Sequence, residues 1–101
     1  MNASTRRRIA IRADLIRRVK DDLIGRLSLP YRPDDLHEDV PLLGSGLGLD
    51  SLDALEVVLG IEQAFGVRVE EGNVAVLRSI NTIVDYLLAQ GVAADAAGGD
   101  V

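Results

Sequence analysis

A serine flanked by aspartates is the residue whose type and position could do chemistry in this sequence. It occurs in the run Gly48-Leu49-Asp50-Ser51-Leu52-Asp53, at the start of a strongly amphipathic segment. Asp50 is predicted to be a helix N-cap and Asp53 to complete a capping box, which makes Ser51 the first helical residue. An anion such as a phosphodiester on its hydroxyl would be stabilised by the unpaired N–H groups there. Serines at helix starts are common, however, and the local pattern alone favours a capping role.

Other reactive sites are excluded by composition or by missing partner residues. The chain has no cysteine, which excludes disulfides, thiolate metal sites and thiol nucleophiles. The only histidine, His37, is predicted to be a loop residue rather than a ligand. The glycine-rich segment 44–48 lacks the Gly-Lys-Ser/Thr of a phosphate-binding loop, and no Gly-x-Ser-x-Gly elbow surrounds Ser51. Composition and motifs therefore give no support to thiol, metal-site, P-loop or hydrolase chemistry.

The residues around this serine are positioned by segments with helical spacing of apolar residues. A first helix is predicted from about Arg6 to Leu27, with Ser4 or Thr5 as its cap and prolines at 30 and 33 beyond its end. The apolar residues predicted to line this helix are Ile9, Leu15, Ile16, Val19, Leu23, Ile24 and Leu27.

The second helix is predicted from Ser51 to about Phe65, with Gly66 as its C-cap. Its polar residues are spaced by three and four, which places Gly60 on an exposed stripe. Gly60 is expected to be either a neutral surface position or a point where a partner or a bound chain approaches the backbone. The residues of this stripe are Asp53, Glu56, Gly60 and Gln63.

The remaining elements complete an all-α bundle. Residues 73–77 indicate one helical turn or a short helix, and Ser79 is predicted to cap a last helix from Ile80 to Gln90, which Gly91 closes. Residues 30–50 form a long first connection, predicted to be held by Val40, Leu42, Leu43, Leu47 and Leu49. The expected architecture is a four-helix bundle with three main helices and one short helix. The predicted divisions are a flexible N-terminus at 1–5, the folded domain at 6–90 and a flexible tail at 91–101.

Charge is divided unevenly along the chain. Residues 1–20 have seven basic and one acidic residue, a balance of +6, whereas residues 21–101 have four basic and fifteen acidic residues, a balance of −11. An acidic body is typical of proteins that bind basic protein partners. No apolar run reaches the roughly 18 residues of a membrane helix. The first 20 residues faintly resemble an organelle transit peptide, but they are also needed as a core helix, so a cytoplasmic monomer is expected.

The run LLGSGLGLDSLDALEVVLGIEQAFGVRV resembles the central motif of acyl carrier proteins. That family has Asp-Ser-Leu at the start of its second helix, then an acidic residue, and a Glu three positions further on. These positions correspond here to Asp50, Ser51, Leu52, Asp53 and Glu56. The Glu-x-x-Phe at 62–65 and the last helix SINTIVDYLLAQ also match the family's pattern. The resemblance covers about residues 6–90.

The resemblance implies a 4′-phosphopantetheine on Ser51, transferred from coenzyme A by a phosphopantetheinyl transferase, with acyl groups held as thioesters on its thiol. It also implies a protein without catalytic activity of its own, whose partners transfer or modify acyl groups and have basic docking patches. The residues implied to dock them are the acidic Asp50, Asp53, Glu56 and Glu62 with the apolar Leu52 and Leu55.

Two departures from the family's pattern leave the pathway open. Arg68 and Ala64 stand where the family often has acidic residues, and the N-terminal segment is unusually basic. Both favour specialised lipid or polyketide biosynthesis over general fatty-acid biosynthesis. A peptidyl or aryl carrier is the alternative within carriers. A nucleic-acid-binding helical domain is the remote alternative, and it is disfavoured because the later helices are acidic.

Overall fold

A computed structural model of the chain describes residues 3–70 and 73–92. Within these residues the fold is all-helical, as predicted, and the only strand-like feature is an isolated bridge between Leu43 and Leu49. The predicted short fourth helix is a 3-10 turn. The elements are α1 (Ala3–Leu27), a first 3-10 turn (Pro33–Asp35), α2 (Ser51–Phe65), a second 3-10 turn (Val74–Leu77) and α3 (Ile80–Ala89).

The start of α1 differs from the sequence prediction. The helix begins at Ala3, so Ser4 and Thr5 lie inside it instead of capping it. The predicted boundary between residues 5 and 6 is therefore not a boundary of secondary structure. At the other end, Ser28 adopts a left-handed conformation (φ 52°) and the Leu29 amide donates to the Ile24 carbonyl at 3.0 Å. The helix thus ends before Pro30 is reached.

An aliphatic core joins the three helices and the long connection. Burying one such Leu, Ile or Val side chain contributes about 1.5–3 kcal/mol. Ile9, predicted to line the apolar face of α1, is instead 53% exposed, because it precedes the covered part of the helix. Leu88 of α3 is also exposed (37%). The core consists of Leu15, Val19, Leu23, Leu36, Leu42, Leu49, Val57, Ile61, Val69, Val76, Leu77, Ile80, Ile83, Val84 and Leu87.

Gly60 is buried, and its predicted place on an exposed stripe is wrong. It lies where α2 crosses α1. A Cβ built on this glycine would overlap the Asp22 carboxylate and the Arg26 guanidinium, and would lie 2.8 Å from Arg26 Cδ. The spacing of polar residues in α2 places Gly60 in line with Glu56 and Gln63, which suggested an exposed position. In the structure, α1 covers this part of the stripe.

The second half of the long connection before α2 is held by its buried and partly buried leucines. Leu42 and Leu49 are buried, and Leu43 and Leu47 pack partly buried against the core, as predicted. The Leu42 amide donates to the carbonyl of Arg78 at 3.0 Å, and the Leu49 amide donates to the Leu42 carbonyl at 3.1 Å. These contacts fix the end of the connection relative to α3, and with it the start of α2.

The capping prediction for α3 is confirmed. The Ser79 side chain accepts from the Thr82 amide at 3.2 Å, and the Thr82 hydroxyl accepts from the Ser79 amide at 2.9 Å. α3 ends at Ala89, one residue earlier than predicted, and Gly91 follows with a φ of 85°. Of the tail predicted at 91–101, residues 93–101 lie outside the described part of the chain.

Candidate functional site

Ser51 is the first residue of α2, and a capping box fixes that position. Asp50 has the extended backbone of an N-cap (φ −99°, ψ −172°), and its carboxylate accepts from the Asp53 amide at 2.9 Å. In return, the Asp53 carboxylate accepts from the Asp50 amide at 3.1 Å. Both predicted caps are confirmed, including Gly66 in the left-handed region at the other end of the helix (φ 68°). Ser51 is therefore held at an exposed helix start.

The turn that leads to Ser51 depends on its glycines. Gly44 and Gly48 have positive φ values of 69° and 76°, which residues with a side chain rarely adopt. Gly46 packs so closely on Pro41 that a Cβ would lie 2.6 Å from the Pro41 carbonyl carbon. The glycine-rich segment therefore shapes a tight turn before α2.

The local electrostatics at Ser51 combine favourable and unfavourable contributions for an anion. The first N–H groups of a helix have no intrahelical acceptor, and together with the helix dipole they stabilise a negative charge. The carboxylates of Asp50 and Asp53 lie close by, but the capping box holds both against backbone amides. A phosphodiester on Ser51 can thus lie beside the helix start with its arm in solvent, which fits the group that the motif implies.

An open groove of about 910 Å³ begins at Ser51 and runs along α2. Its floor is apolar, and its far wall is the segment after α2, which the sequence left unassigned. An elongated apolar groove beside an exposed hydroxyl can cover an alkyl chain that is tethered to that hydroxyl. The residues that line it are Ser51, Ala54, Leu55, Val58, Leu59, Glu62, Val67, Arg68, Val69, Glu70, Asn73 and Leu77.

Two hydrogen bonds that the sequence did not predict hold the far wall of this groove. The Glu62 carboxylate accepts from the Val69 amide at 2.9 Å, and the Tyr86 hydroxyl donates to the Arg68 carbonyl. Glu62 was predicted as a docking residue, but its carboxylate is engaged within the chain. The only signal in the sequence was the Glu-x-x-Phe pattern, which does not indicate the partner seven residues later.

Of the other predicted docking residues, Asp50 is the N-cap of α2, and the rest lie together on this helix. Leu52 and Leu55 are 74% and 57% exposed, which is unusual for leucines in a small helical protein. Glu56 is half exposed, and its carboxylate lies 3.9 Å from the Arg26 guanidinium of α1. Arg26 also donates to the Gln63 side chain at 3.1 Å. Arg26 of α1 thus borders the acidic face of α2, which the sequence pattern does not indicate.

Neither a metal site nor a membrane-spanning helix is found in residues 3–70 and 73–92. No three His, Cys, Asp or Glu side chains of these residues are placed to hold a metal ion. His37 lies in the long connection, as predicted, where its Nδ1 accepts from the Asp39 amide at 3.2 Å. None of the described helices is both long and apolar enough to cross a bilayer.

Comparison with known proteins identifies the region around Ser51. Residues 17–87 match the family model described as "Phosphopantetheine attachment site". The acyl carrier protein of Campylobacter hominis is 31% identical over 74 residues, which cover 73% of this chain and 90% of that protein. The chloroplastic acyl carrier protein 2 of Spinacia oleracea is 32% identical over 82 residues, covering 77% and 58% of the two chains.

A second plant relative, the chloroplastic acyl carrier protein 2 of Hordeum vulgare, is 38% identical over 60 residues, which cover 52% of this chain and 46% of the relative. The chain thus spans about half of the length of these two plant proteins. The match to the family model covers both the serine motif and all three α-helices in part or whole. With its helix order, its capped Asp-Ser-Leu and these relatives, the chain belongs to the acyl carrier protein family, whose phosphopantetheine attachment site it contains.

Proposed function

We propose that this chain carries acyl groups as thioesters on a 4′-phosphopantetheine bound to the Ser51 oxygen. The observation that carries the proposal is the place of Ser51, exposed at the capped start of α2 and at the mouth of an apolar groove, inside the region that matches the family model. When bound, the group supplies the thiol that this cysteine-free chain lacks. The protein's own residues position the arm and shelter its cargo.

The groove supports an acyl cargo. Its walls are mainly aliphatic side chains such as Leu55, Val58 and Leu59, against which an alkyl chain would be removed from water. An aryl or aminoacyl cargo, as in the peptidyl and aryl carriers, would make less use of an apolar groove of this volume. Fatty-acid-like or specialised lipid and polyketide pathways both need such a carrier.

Partner enzymes dock on the exposed face of α2 formed by Leu52, Leu55, Asp53 and Glu56. The two leucines offer apolar contact beside carboxylates that attract basic patches. Exposed ion pairs are each worth under about 1 kcal/mol, so this docking is weak and sensitive to salt. A carrier that passes its cargo between enzymes needs such short-lived complexes. Glu62 contributes indirectly, by holding the groove wall through Val69.

The carrier acts as a substrate of its partners, among them a phosphopantetheinyl transferase, and has no nucleic-acid partner. It acts as a monomer. We also propose a cytoplasmic location for the carrier. The two plant relatives are named as chloroplastic proteins, so their names do not support that location.

Intact-mass measurement tests the attachment. Incubation of the full chain with coenzyme A and a broad-specificity phosphopantetheinyl transferase should add one group of about 340 Da. Ser51→Ala should abolish the addition. Ser45→Ala is the matched control, because it removes an exposed serine of the preceding loop and should be modified like the unaltered chain. Addition to the Ser51→Ala variant, or none to the unaltered chain, would refute the assignment.

A further inference from the structure

The first two turns of α1 form a cluster of exposed arginines, named here the basic pole (Arg6, Arg7 and Arg8). All residues from 3 to 10 are exposed, so this end of the helix is not covered by α2 or α3. Within the described residues, none of the three arginines has an ion-pair or hydrogen-bond partner. The protein therefore presents three guanidinium groups that are free to bind an external anion.

The other basic residues of α1 are used inside the protein. Each has a carboxylate within ion-pair distance, in contrast to the basic pole. The pairs are Arg12–Asp85 at 2.7 Å, Arg17–Asp21 at 3.8 Å, Arg18–Asp14 at 4.0 Å, Lys20–Glu38 at 3.4 Å and Arg26–Asp22 at 3.7 Å.

The basic pole does not serve the stability of its own helix. Cations are unfavourable near a helix N-terminus, where the dipole is positive, and neighbouring like charges repel each other. The first turn of α1 contains no acidic residue that would offset them. Neither helix stability nor an internal contact accounts for these charges, so they are available to an external partner.

The basic pole lies at the opposite end of the molecule from Ser51. α1 and α2 run antiparallel, because Arg18 stacks on Phe65 at 5.6 Å whereas Arg26 lies near Glu56. At 1.5 Å per residue, Ser51 lies about 21 Å from Phe65 along α2, and Arg7 lies about 16 Å beyond Arg18 in the other direction. The sum matches the longest dimension of the described residues, 40 Å. An enzyme docked at the Ser51 end therefore need not cover the basic pole.

We propose that the basic pole docks on an acidic protein surface and anchors the carrier there while its Ser51 end remains free for other enzymes. Three successive arginines point about 100° apart around a helix and together span about 200° of its circumference, which fits a concave acidic cleft better than a flat bilayer. Among residues 3–70 and 73–92, Ile9 is the only large exposed apolar side chain beside them, and these residues form no apolar face for insertion. An extended polyanion such as DNA would also be repelled by the acidic remainder of the chain.

Titration of the isotope-labelled full-length carrier with a hexaglutamate peptide, followed by amide chemical shifts in NMR spectra, tests the proposal. The shifts should cluster at residues 3–12 and weaken as salt is added. Arg7→Gln/Arg8→Gln should lower the affinity roughly fivefold, in keeping with the loss of two exposed ion pairs. The matched control is Arg32→Gln/Arg78→Gln, which removes two exposed arginines elsewhere and should leave the affinity unchanged.

A second measurement separates the two ends of the molecule. The rate of Ser51 modification by the transferase should be the same with and without saturating hexaglutamate. The proposal is overturned if the peptide slows that modification, if both double variants lose affinity equally, or if no shifts cluster at the basic pole. It is also overturned if phosphatidylserine vesicles or a DNA duplex bind these residues more tightly than the peptide does. Since modification is read separately, failure here is distinguishable from failure of the carrier function.

Discussion

At the residue scale, Gly60 leaves room for the Asp22 and Arg26 side chains where α1 and α2 cross. A methyl group there would displace the Asp22 and Arg26 side chains, and with them the contacts of Arg26 to Glu56 and Gln63. Gly60→Ala gains up to about 1 kcal/mol in helix propensity, but the ends of the Asp22 and Arg26 side chains must move aside and weaken partly exposed ion pairs worth under about 1 kcal/mol each. We expect the two contributions to cancel, so that the free energy of unfolding, measured by chemical denaturation, does not increase.

Gly25→Ala is the matched control for that measurement. Gly25 also lies inside a helix, but it is exposed and a Cβ there would have no neighbour within 4 Å. The variant should therefore be more stable by about 0.4–1 kcal/mol, because only the unfolded-state entropy and the helix propensity change. Equal stabilisation by both substitutions would show that Gly60 is not constrained by α1.

At the element scale, α2 combines a buried face that holds the fold with an exposed face that is proposed to dock enzymes. Glu56 tests the exposed face best, because Asp53 also belongs to the capping box and its replacement would disturb the helix start. Glu56→Gln should raise the KM of the phosphopantetheinyl transferase for the carrier by up to about fivefold, the equivalent of one exposed ion pair. The helix content measured by circular dichroism should not change.

Asp34→Asn provides the comparison for Glu56→Gln. It removes the same charge from an exposed position in the first 3-10 turn, away from α2. Its KM should equal that of the unaltered chain at low salt. If both variants raised KM to the same extent, the net charge of the protein would matter and the face of α2 would not.

At the scale of the whole molecule, Glu38 ties the long connection to two helices. Its carbonyl accepts from the Asn81 amide of α3 at 3.1 Å, and its carboxylate lies 3.4 Å from the mostly buried Lys20 of α1. A hydrogen bond from its own backbone and, after that, the Lys20 ammonium hold the pKa of Glu38 below its usual value of 4.5. A lowered pKa means that the ionised form stabilises the fold above pH 4.5 and that this stabilisation is lost as pH falls through the lowered pKa.

Lys20→Gln should therefore raise the pKa of Glu38, which a carbon-detected NMR titration measures. The variant's loss of stability should be largest above pH 4.5 and should shrink as the Glu38 carboxylate becomes protonated. Arg17→Gln is the control, because the Arg17–Asp21 pair is exposed on both sides and contributes little. A Glu38 pKa that does not change in Lys20→Gln would contradict this ion pair.

The sequence by itself determined what depends on neighbouring residues along the chain. The cap at Asp50, the bounds of α2, the left-handed Gly66 and the cap at Ser79 all rest on contacts within about four residues, which local patterns encode. The same holds for the exposed place of Ser51, since a capping box fixes which residue begins the helix. The start of α1 was predicted too late, at about Arg6, because no residue before Arg6 distinguishes a helix from a flexible end.

The tertiary structure decided which helix face is covered, and by what. Spacing of residues shows that a helix has two faces, but only the crossing of α1 and α2 buries Gly60 and places Arg26 beside Glu56. Likewise, Ile9 has the right spacing for the core but lies beyond the ends of the neighbouring helices. The groove wall at residues 67–70 forms through hydrogen bonds to Glu62 and Tyr86, seven and eighteen residues away from their partners. Such contacts depend on how the elements pack in space, which the spacing of residues within one element does not specify.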